Sequence, residues 1–148
     1  MSKVFKIIMD SLLIFSIVFL AGYYLLRMTG MINIYKVETG SMEYKIHVND
    51  YILLFKSSKY KMGDIVTYRE NDYFITHRII KIDGDKVITK GDANNMEDVG
   101  ININQIEGKV VYCGGILNFI INFKFAIIAV LVSLYMLSCC FEKEKKEV

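Results

Sequence analysis

Proline and tryptophan are both missing from the 148 residues of this sequence. Without proline, chain reversals fall to glycine, asparagine and aspartate, which favour turn backbones for reasons of their own. Cysteine is scarce. Cys113, Cys139 and Cys140 are an odd number, and their spacing fits neither a metal site nor a disulfide framework. Histidine is scarcer, with His47 and His77 alone. An excess of one charge is lacking too, and a net charge of +2 gives no electrostatic reason to expect a nucleic-acid partner. No internal repeat, low-complexity stretch or metal-ligand cluster is visible, so neither metal nor cofactor is expected.

Apolar sequence is what the chain has in quantity, at 53% of residues, and it gathers at the two ends. Residues 7–26 read IIMDSLLIFSIVFLAGYYLL, with Asp10 as the single charge. At ~1.5 Å rise per residue this run matches a hydrocarbon core of ~30 Å. Tyr23, Tyr24 and Arg27 then stand where interfacial anchors are expected. A cleavable leader is the competing reading, but the apolar stretch is long for one and no clear A-x-A site follows. Residues 125–141, FAIIAVLVSLYMLSCCF, form a second uncharged run of seventeen. It is short for a span, and Lys124 can snorkel at its edge while residues 116–123 lie along the interface. A buried or monotopic hairpin is the alternative there. Lys3 and Lys6 before the first run, and Lys143, Lys145 and Lys146 after the second, assign both termini to the cytoplasm and the segment between them to the outside.

The middle segment reads as β structure. Residues 51–56, 64–69, 73–82, 86–90 and 107–113 are rich in β-branched and aromatic side chains. Turn signals separate them at 61–64, 70–72 and 83–85. The expected fold is a mainly β domain, a small antiparallel β-barrel or packed sheets, flanked by N-terminal and C-terminal transmembrane helices. The expected divisions are a cytoplasmic stub and anchor over 1–28, an extracytoplasmic β-rich domain over 29–115, an interfacial segment with the second span over 116–141, and a charged tail over 142–148.

Three places in the β segment hold what a hydrolase needs: Ser41 in Val37-Glu38-Thr39-Gly40-Ser41-Met42, His77 in Ile75-Thr76-His77-Arg78, and Asp92 and Asp98 in the stretch 89–98. A serine, a histidine and an aspartate in separate elements supply nucleophile, base and orienter if the fold brings them together. Each has a plainer reading: Ser41 as a turn residue, His77 as an ordinary strand histidine, Asp92 as a turn cap. Their order, just beyond a membrane anchor, favours the chemical one.

The arrangement resembles signal peptidase I, from the first apolar run to Val111. The family's Gly-Ser-Met stands here as Gly40-Ser41-Met42, and its Gly-Asp-Ile-Val as Gly63-Asp64-Ile65-Val66. Its Gly-Asp-x-Asn stands as Gly91-Asp92-Ala93-Asn94, with Asp98 beyond. His77-Arg78, where most bacterial members carry Lys-Arg, points to the His-dependent branch of the endoplasmic reticulum, the archaea and sporulating bacteria. One departure is clear: the family continues Ser-Met-x-Pro, and this chain has Ser41-Met42-Glu43-Tyr44.

The resemblance implies a membrane-bound serine endopeptidase that removes signal peptides from exported preproteins. It implies Ser41 as nucleophile, His77 as general base, Asp98 as the direct partner of the imidazole and Asp92 as support, with the order of the two aspartates open. It implies an oxyanion hole from the Ser41 N–H and the Thr39 hydroxyl, and substrate contacts from Ile34, Val37 and Met42. His47, six residues after Ser41, is the rival base on sequence proximity and reads as structural or exposed; Arg78 reads as an ion-pair partner on the opposite strand face. Signal peptides and membrane lipid are the expected partners, with an accessory subunit left open. The rivals are a non-catalytic membrane-tethered β-module, a self-cleaving Ser–Lys regulator, which needs a lysine where His77 stands, and a sensor or assembly factor acting through its spans.

Overall fold

The computed structural model describes residues 3–144, with side chains described for residue 4 and for 6–136. The chain forms two compact units, one comprising Leu26–Asn118 and the other the terminal segments up to Leu25 and from Phe119.

In the terminal segments, α1 (Lys3–Met28) is apolar on all sides. Its stretch Lys6–Met28 is long and apolar enough to cross a membrane, and none of it is buried within the protein. It ends where Gly30 turns left-handed at φ 69, with the Met31 N–H bonded back to the Leu26 carbonyl at 3.2 Å. Glycine at that position carries no Cβ penalty. At the other end, α2 (Gly115–Asn122) and α3 (Lys124–Glu144) meet at a 66° bend around Phe123. Among the described residues, the length and apolarity of a span are met there only by the bent pair taken together. Lys145 and Lys146 lie outside the described residues, and Cys139, Cys140 and Lys143 among those whose side chains are not described.

The middle unit is a single seven-stranded antiparallel sheet. Its strands are β1 (Ile32–Lys36), β2 (Tyr51–Phe55), β3 (Ile65–Glu70), β4 (Tyr73–Asp83), β5 (Lys86–Lys90), β6 (Ile101–Asn102) and β7 (Ile106–Cys113). Their order is β1-β2-β7-β3-β4-β5-β6, which leaves β1 and β6 at the ends. The five strands expected from sequence are present. β1, which directly follows the apolar helix, and the two-residue β6 are not among the expected strands.

The sheet coils strongly. In a flat sheet β1 and β4 would stand four spacings, roughly 19 Å, apart. Tyr35 of β1 and Phe74 of β4 instead pack with ring centroids 4.6 Å apart. Bulges at Leu53/Leu54, Thr67/Tyr68 and Ile79/Lys81 supply local bends of the kind that tighten twist. Two apolar clusters form its core: Val66, Tyr68, Ile79, Val87, Ile101 and Ile106 in one, and Met42, Ile46, Ile52 and Leu54 in the other.

Candidate active site

Strand alternation decides which β4 side chains face inward. His77 is opposite Val66, and Ile79 opposite Thr89, so all four share the core face. His77 is accordingly only 6% exposed. A histidine in such a place needs a hydrogen-bond partner, because an unpaired polar group away from water costs ~1–3 kcal/mol. It has one: its Nδ1 lies 2.5 Å from Asp98 Oδ2. The same carboxylate oxygen accepts from Thr89 Oγ1 at 2.7 Å and from the Tyr68 hydroxyl at 3.3 Å. No buried side-chain polar atom among the described residues is left without a partner.

Asp98 is placed by the backbone. Its N–H donates to the Thr89 carbonyl at 2.9 Å, which carries the loop after β5 back along that strand. Asp92 faces elsewhere. Arg78, one residue beyond His77 and on the opposite face, grips it through Nε to Oδ1 at 2.8 Å and Nη2 to Oδ2 at 2.5 Å, and donates to the Gly63 carbonyl at 2.9 Å. The hydrogen bond from Arg78 holds the Asp92 carboxyl below the ordinary carboxylate value, against the opposing effect of burial. The resemblance favours Asp98 as the direct partner of His77 and leaves the reverse order open. In the structure the contact with His77 is made by Asp98, and Asp92 is the partner of Arg78.

Ser41 stands at the start of a tight turn closed by the Glu43 N–H on the Gly40 carbonyl at 3.0 Å and the Ile46 N–H on the Met42 carbonyl at 2.9 Å. This turn is tied to the Gly91-Asp92-Ala93-Asn94 segment, because the Ala93 N–H donates to the Ser41 carbonyl at 2.9 Å. Gly91 sits so close beneath it that a Cβ there would lie 2.6 Å from the Ser41 carbonyl oxygen. The three segments singled out in the sequence therefore converge: the Ser41 turn rests on the Asp92 turn, Asp92 is held by Arg78, and Arg78 adjoins His77. Among the described residues the Ser41 hydroxyl has no hydrogen-bond partner, and neither does that of Thr39, which is exposed two residues earlier. Met42, expected as a substrate contact, is 2% exposed; it packs in the core, and its sulfur accepts the Asp92 N–H at 3.4 Å. It props the turn from beneath. Ile34 and Val37 are half-buried along β1 and just after it.

The rival base is remote from this network in its contacts. His47 has a 66% exposed side chain, and its Nδ1 lies 3.5 Å from Asp50 Oδ2. Asp50 also accepts from the Asn118 amide at 2.7 Å. Although burial opposes it, the hydrogen bonds from His47 and Asn118 hold the Asp50 carboxyl below its usual value.

Tyr44, at the position where a proline was expected by resemblance, has φ 73 and is 94% exposed. Proline is fixed near φ −65°, so the turn as built excludes it. A left-handed backbone costs an L-residue ~1–2 kcal/mol. Tyr44→Gly is therefore expected to stabilise the chain by about 1 kcal/mol, since the exposed ring loses no packing. Tyr44→Pro is expected to destabilise it. Thermal unfolding of the full chain in detergent checks both, and a Tyr44→Pro variant as stable as the parent contradicts the turn described.

With this geometry in view, the comparisons with known proteins are specific. Residues 8–112 match the family described as signal peptidase, peptidase S26. The chain is also similar to the signal peptidase complex catalytic subunit SEC11 of Plasmodium falciparum (isolate 3D7), at 36% identity over 72 residues. That alignment takes in 44% of this chain and 39% of the relative, so the chain spans about two fifths of the relative's length. The family match, over residues 8–112, covers most of the chain. The protein belongs to the signal peptidase family, peptidase S26, a family of serine peptidases.

Proposed function

We propose that the protein is an active, membrane-anchored signal peptidase that cleaves exported preproteins by Ser–His–Asp chemistry. The observation that carries this reading is the 2.5 Å contact between His77 Nδ1 and Asp98. A carboxylate at Nδ1 accepts a hydrogen bond from the N–H there, which keeps the ring proton on Nδ1 and leaves the Nε2 lone pair to act as base.

The steps follow from that tautomer. Ser41 Oγ attacks the scissile carbonyl carbon as its proton passes to His77 Nε2. The tetrahedral oxyanion is met by the Ser41 N–H and the Thr39 hydroxyl, and losing one such donor costs ~3 kcal/mol of transition-state stabilisation. Collapse breaks the C–N bond, and His77 returns the proton to the leaving amine. A water, deprotonated by the same nitrogen, then attacks the ester carbonyl; the C–Oγ bond breaks and His77 returns the proton to Ser41 Oγ. Asp92 acts at one remove, through Arg78 and the turn beneath Ser41.

The substrate is the extended segment after a signal peptide's apolar core. β1 ends the sheet and pairs only with β2 among the described strands, so it suits addition of a substrate strand. Ile34 and Val37 form its wall, with small side chains selected one and three positions before the cut. The topology proposed is a cell-membrane protein with α1 as one span and the bent α2–α3 pair as the second, both termini cytoplasmic and the β domain, residues 29–115, outside. The basic residues at the two ends support it. Lipid is then a partner. The similar SEC11 is by its name a subunit of a complex, which supports an accessory subunit here.

The test is cleavage of a preprotein with an Ala-x-Ala site by the full chain in liposomes, with the new N-terminus read by mass spectrometry. A single cut after the second alanine is expected, and Ser41→Ala is expected to abolish it. A folded parent that cuts none of a broad panel contradicts the reading and favours a membrane-tethered β-module that binds a partner.

A further inference from the structure

The two hydroxyls packed against Asp98 have no part in the reaction as described. Thr89 is 0% exposed and Tyr68 1% exposed, and both stand on the core face that carries His77. Thr89 Oγ1 and the Tyr68 hydroxyl lie 3.4 Å apart, so with Asp98 Oδ2 they close a triangle of polar atoms inside an apolar cluster. Tyr68 also meets the imidazole edge-on, with centroids 6.5 Å apart and planes at 68°. Thr89 holds Asp98 twice, by its hydroxyl and by its backbone carbonyl at 2.9 Å. Burial pushes the Tyr68 hydroxyl up to about 12, so it remains protonated and able to donate across the working range of pH.

We propose that Thr89 and Tyr68 are positioning residues for the peptidase reaction: their hydroxyls fix the one Asp98 oxygen that touches His77 Nδ1 and thereby set the tautomer and aim of the imidazole. The proposal rests on the Ser41–His77–Asp98 reading. A carboxylate side chain on a loop has two soft torsions. A single contact to His77 leaves it free to swing, whereas two further donors from rigid strands fix the oxygen in place. The arrangement of donors explains why a threonine stands at a core position that valine or isoleucine would otherwise fill, and why the neighbouring ring is a tyrosine and not a phenylalanine.

Threonine allows the hydroxyl to be separated from packing. Thr89→Val keeps the shape and removes the donor; Thr89→Ser keeps the donor and removes a methyl. Hydrogen bonds to charged groups are worth ~1.5–3 kcal/mol, so Thr89→Val is expected to lower kcat by about ten- to a hundred-fold with KM near the parent's. Thr89→Ser is expected to cleave within about threefold of the parent even though it is the one that loses buried methyl packing. Tyr68→Phe is expected to lower kcat by roughly three- to tenfold, its contact being the longer one.

The experiment measures kcat, KM and thermal unfolding for the full-length variants in liposomes on the preprotein substrate, beside the parent and Ser41→Ala. A merely structural role would move the melting temperature with kcat and would make Thr89→Ser the poorer enzyme of the two threonine variants; that result overturns the proposal. So does a folded Thr89→Val with the parent's kcat or, should Thr89→Val not fold, a Tyr68→Phe with the parent's kcat. A parent that cleaves with Ser41 and is indifferent to these variants overturns the positioning role alone. A parent that does not cleave overturns the peptidase reading with it.

Discussion

Asp98→Asn is expected to lower kcat about 10⁴-fold while leaving thermal unfolding close to that of the parent. The asparagine amide fills the same space, so the loop and its bond from the Asp98 N–H to the Thr89 carbonyl persist. What changes is the polarity at His77 Nδ1. An amide N–H presented there turns Nδ1 into an acceptor, moves the ring proton to Nε2, and removes the lone pair that Ser41 needs. The carboxylate that offsets the imidazolium charge is lost at the same time. Asp92→Asn gives the contrast. It breaks the paired grip of Arg78 and is expected to act chiefly on stability and on the turn beneath Ser41, with a kcat loss of about tenfold. Steady-state kinetics on both variants, with melting curves, checks the assignment. A collapse of kcat in Asp92→Asn with Asp98→Asn spared would exchange the two roles.

The second large effect comes from one methyl group. Gly91→Ala is expected to cost at least about 10²-fold in kcat/KM and about 1–3 kcal/mol of stability. The new Cβ would lie 2.6 Å from the Ser41 carbonyl oxygen and 2.7 Å from Asn94 Nδ2. Backbone has to move, and the segment that gives way carries Ser41, held on this side by the Ala93 N–H. Misplacing a nucleophile by ~1 Å is enough for a loss of that size. Gly22→Ala in α1, where a Cβ meets nothing within 4 Å, is the control and is expected to match the parent. Kinetics and unfolding of the two variants side by side would contradict the close approach if Gly91→Ala behaved like Gly22→Ala.

Much of this was readable from residue order, for reasons that can be named. β4 and β5 carry β-branched residues between glycine, asparagine and aspartate turns, so their positions follow from local chemistry alone. His77, Ile79, Val87 and Thr89 then fall on one face by alternation. Long-range geometry was not readable. The coil of the sheet depends on three bulges and on the Tyr35–Phe74 contact, none of which has a sequence signal. Residue order places a division at Lys124, between 116–123 and 125–141, but not the 66° angle at which α2 and α3 meet there. The departure at Tyr44 was visible as a missing proline, but the left-handed turn that accompanies it was not. Thr89 and Tyr68 went unnoticed as site residues. Their signal was present, since a hydroxyl in the inward phase of a strand such as KVITK asks for a partner, and the partner turned out to be Asp98.

The central claim is that His77, paired with Asp98, is the base that activates Ser41. Its most direct test is cleavage of the Ala-x-Ala preprotein by the full chain in liposomes, comparing the parent with His77→Ala and His47→Ala. The expected result is loss of cleavage in His77→Ala, by a factor of about 10⁴ or more, with His47→Ala cleaving as the parent does. Cleavage that survives in His77→Ala and disappears in His47→Ala would contradict the account.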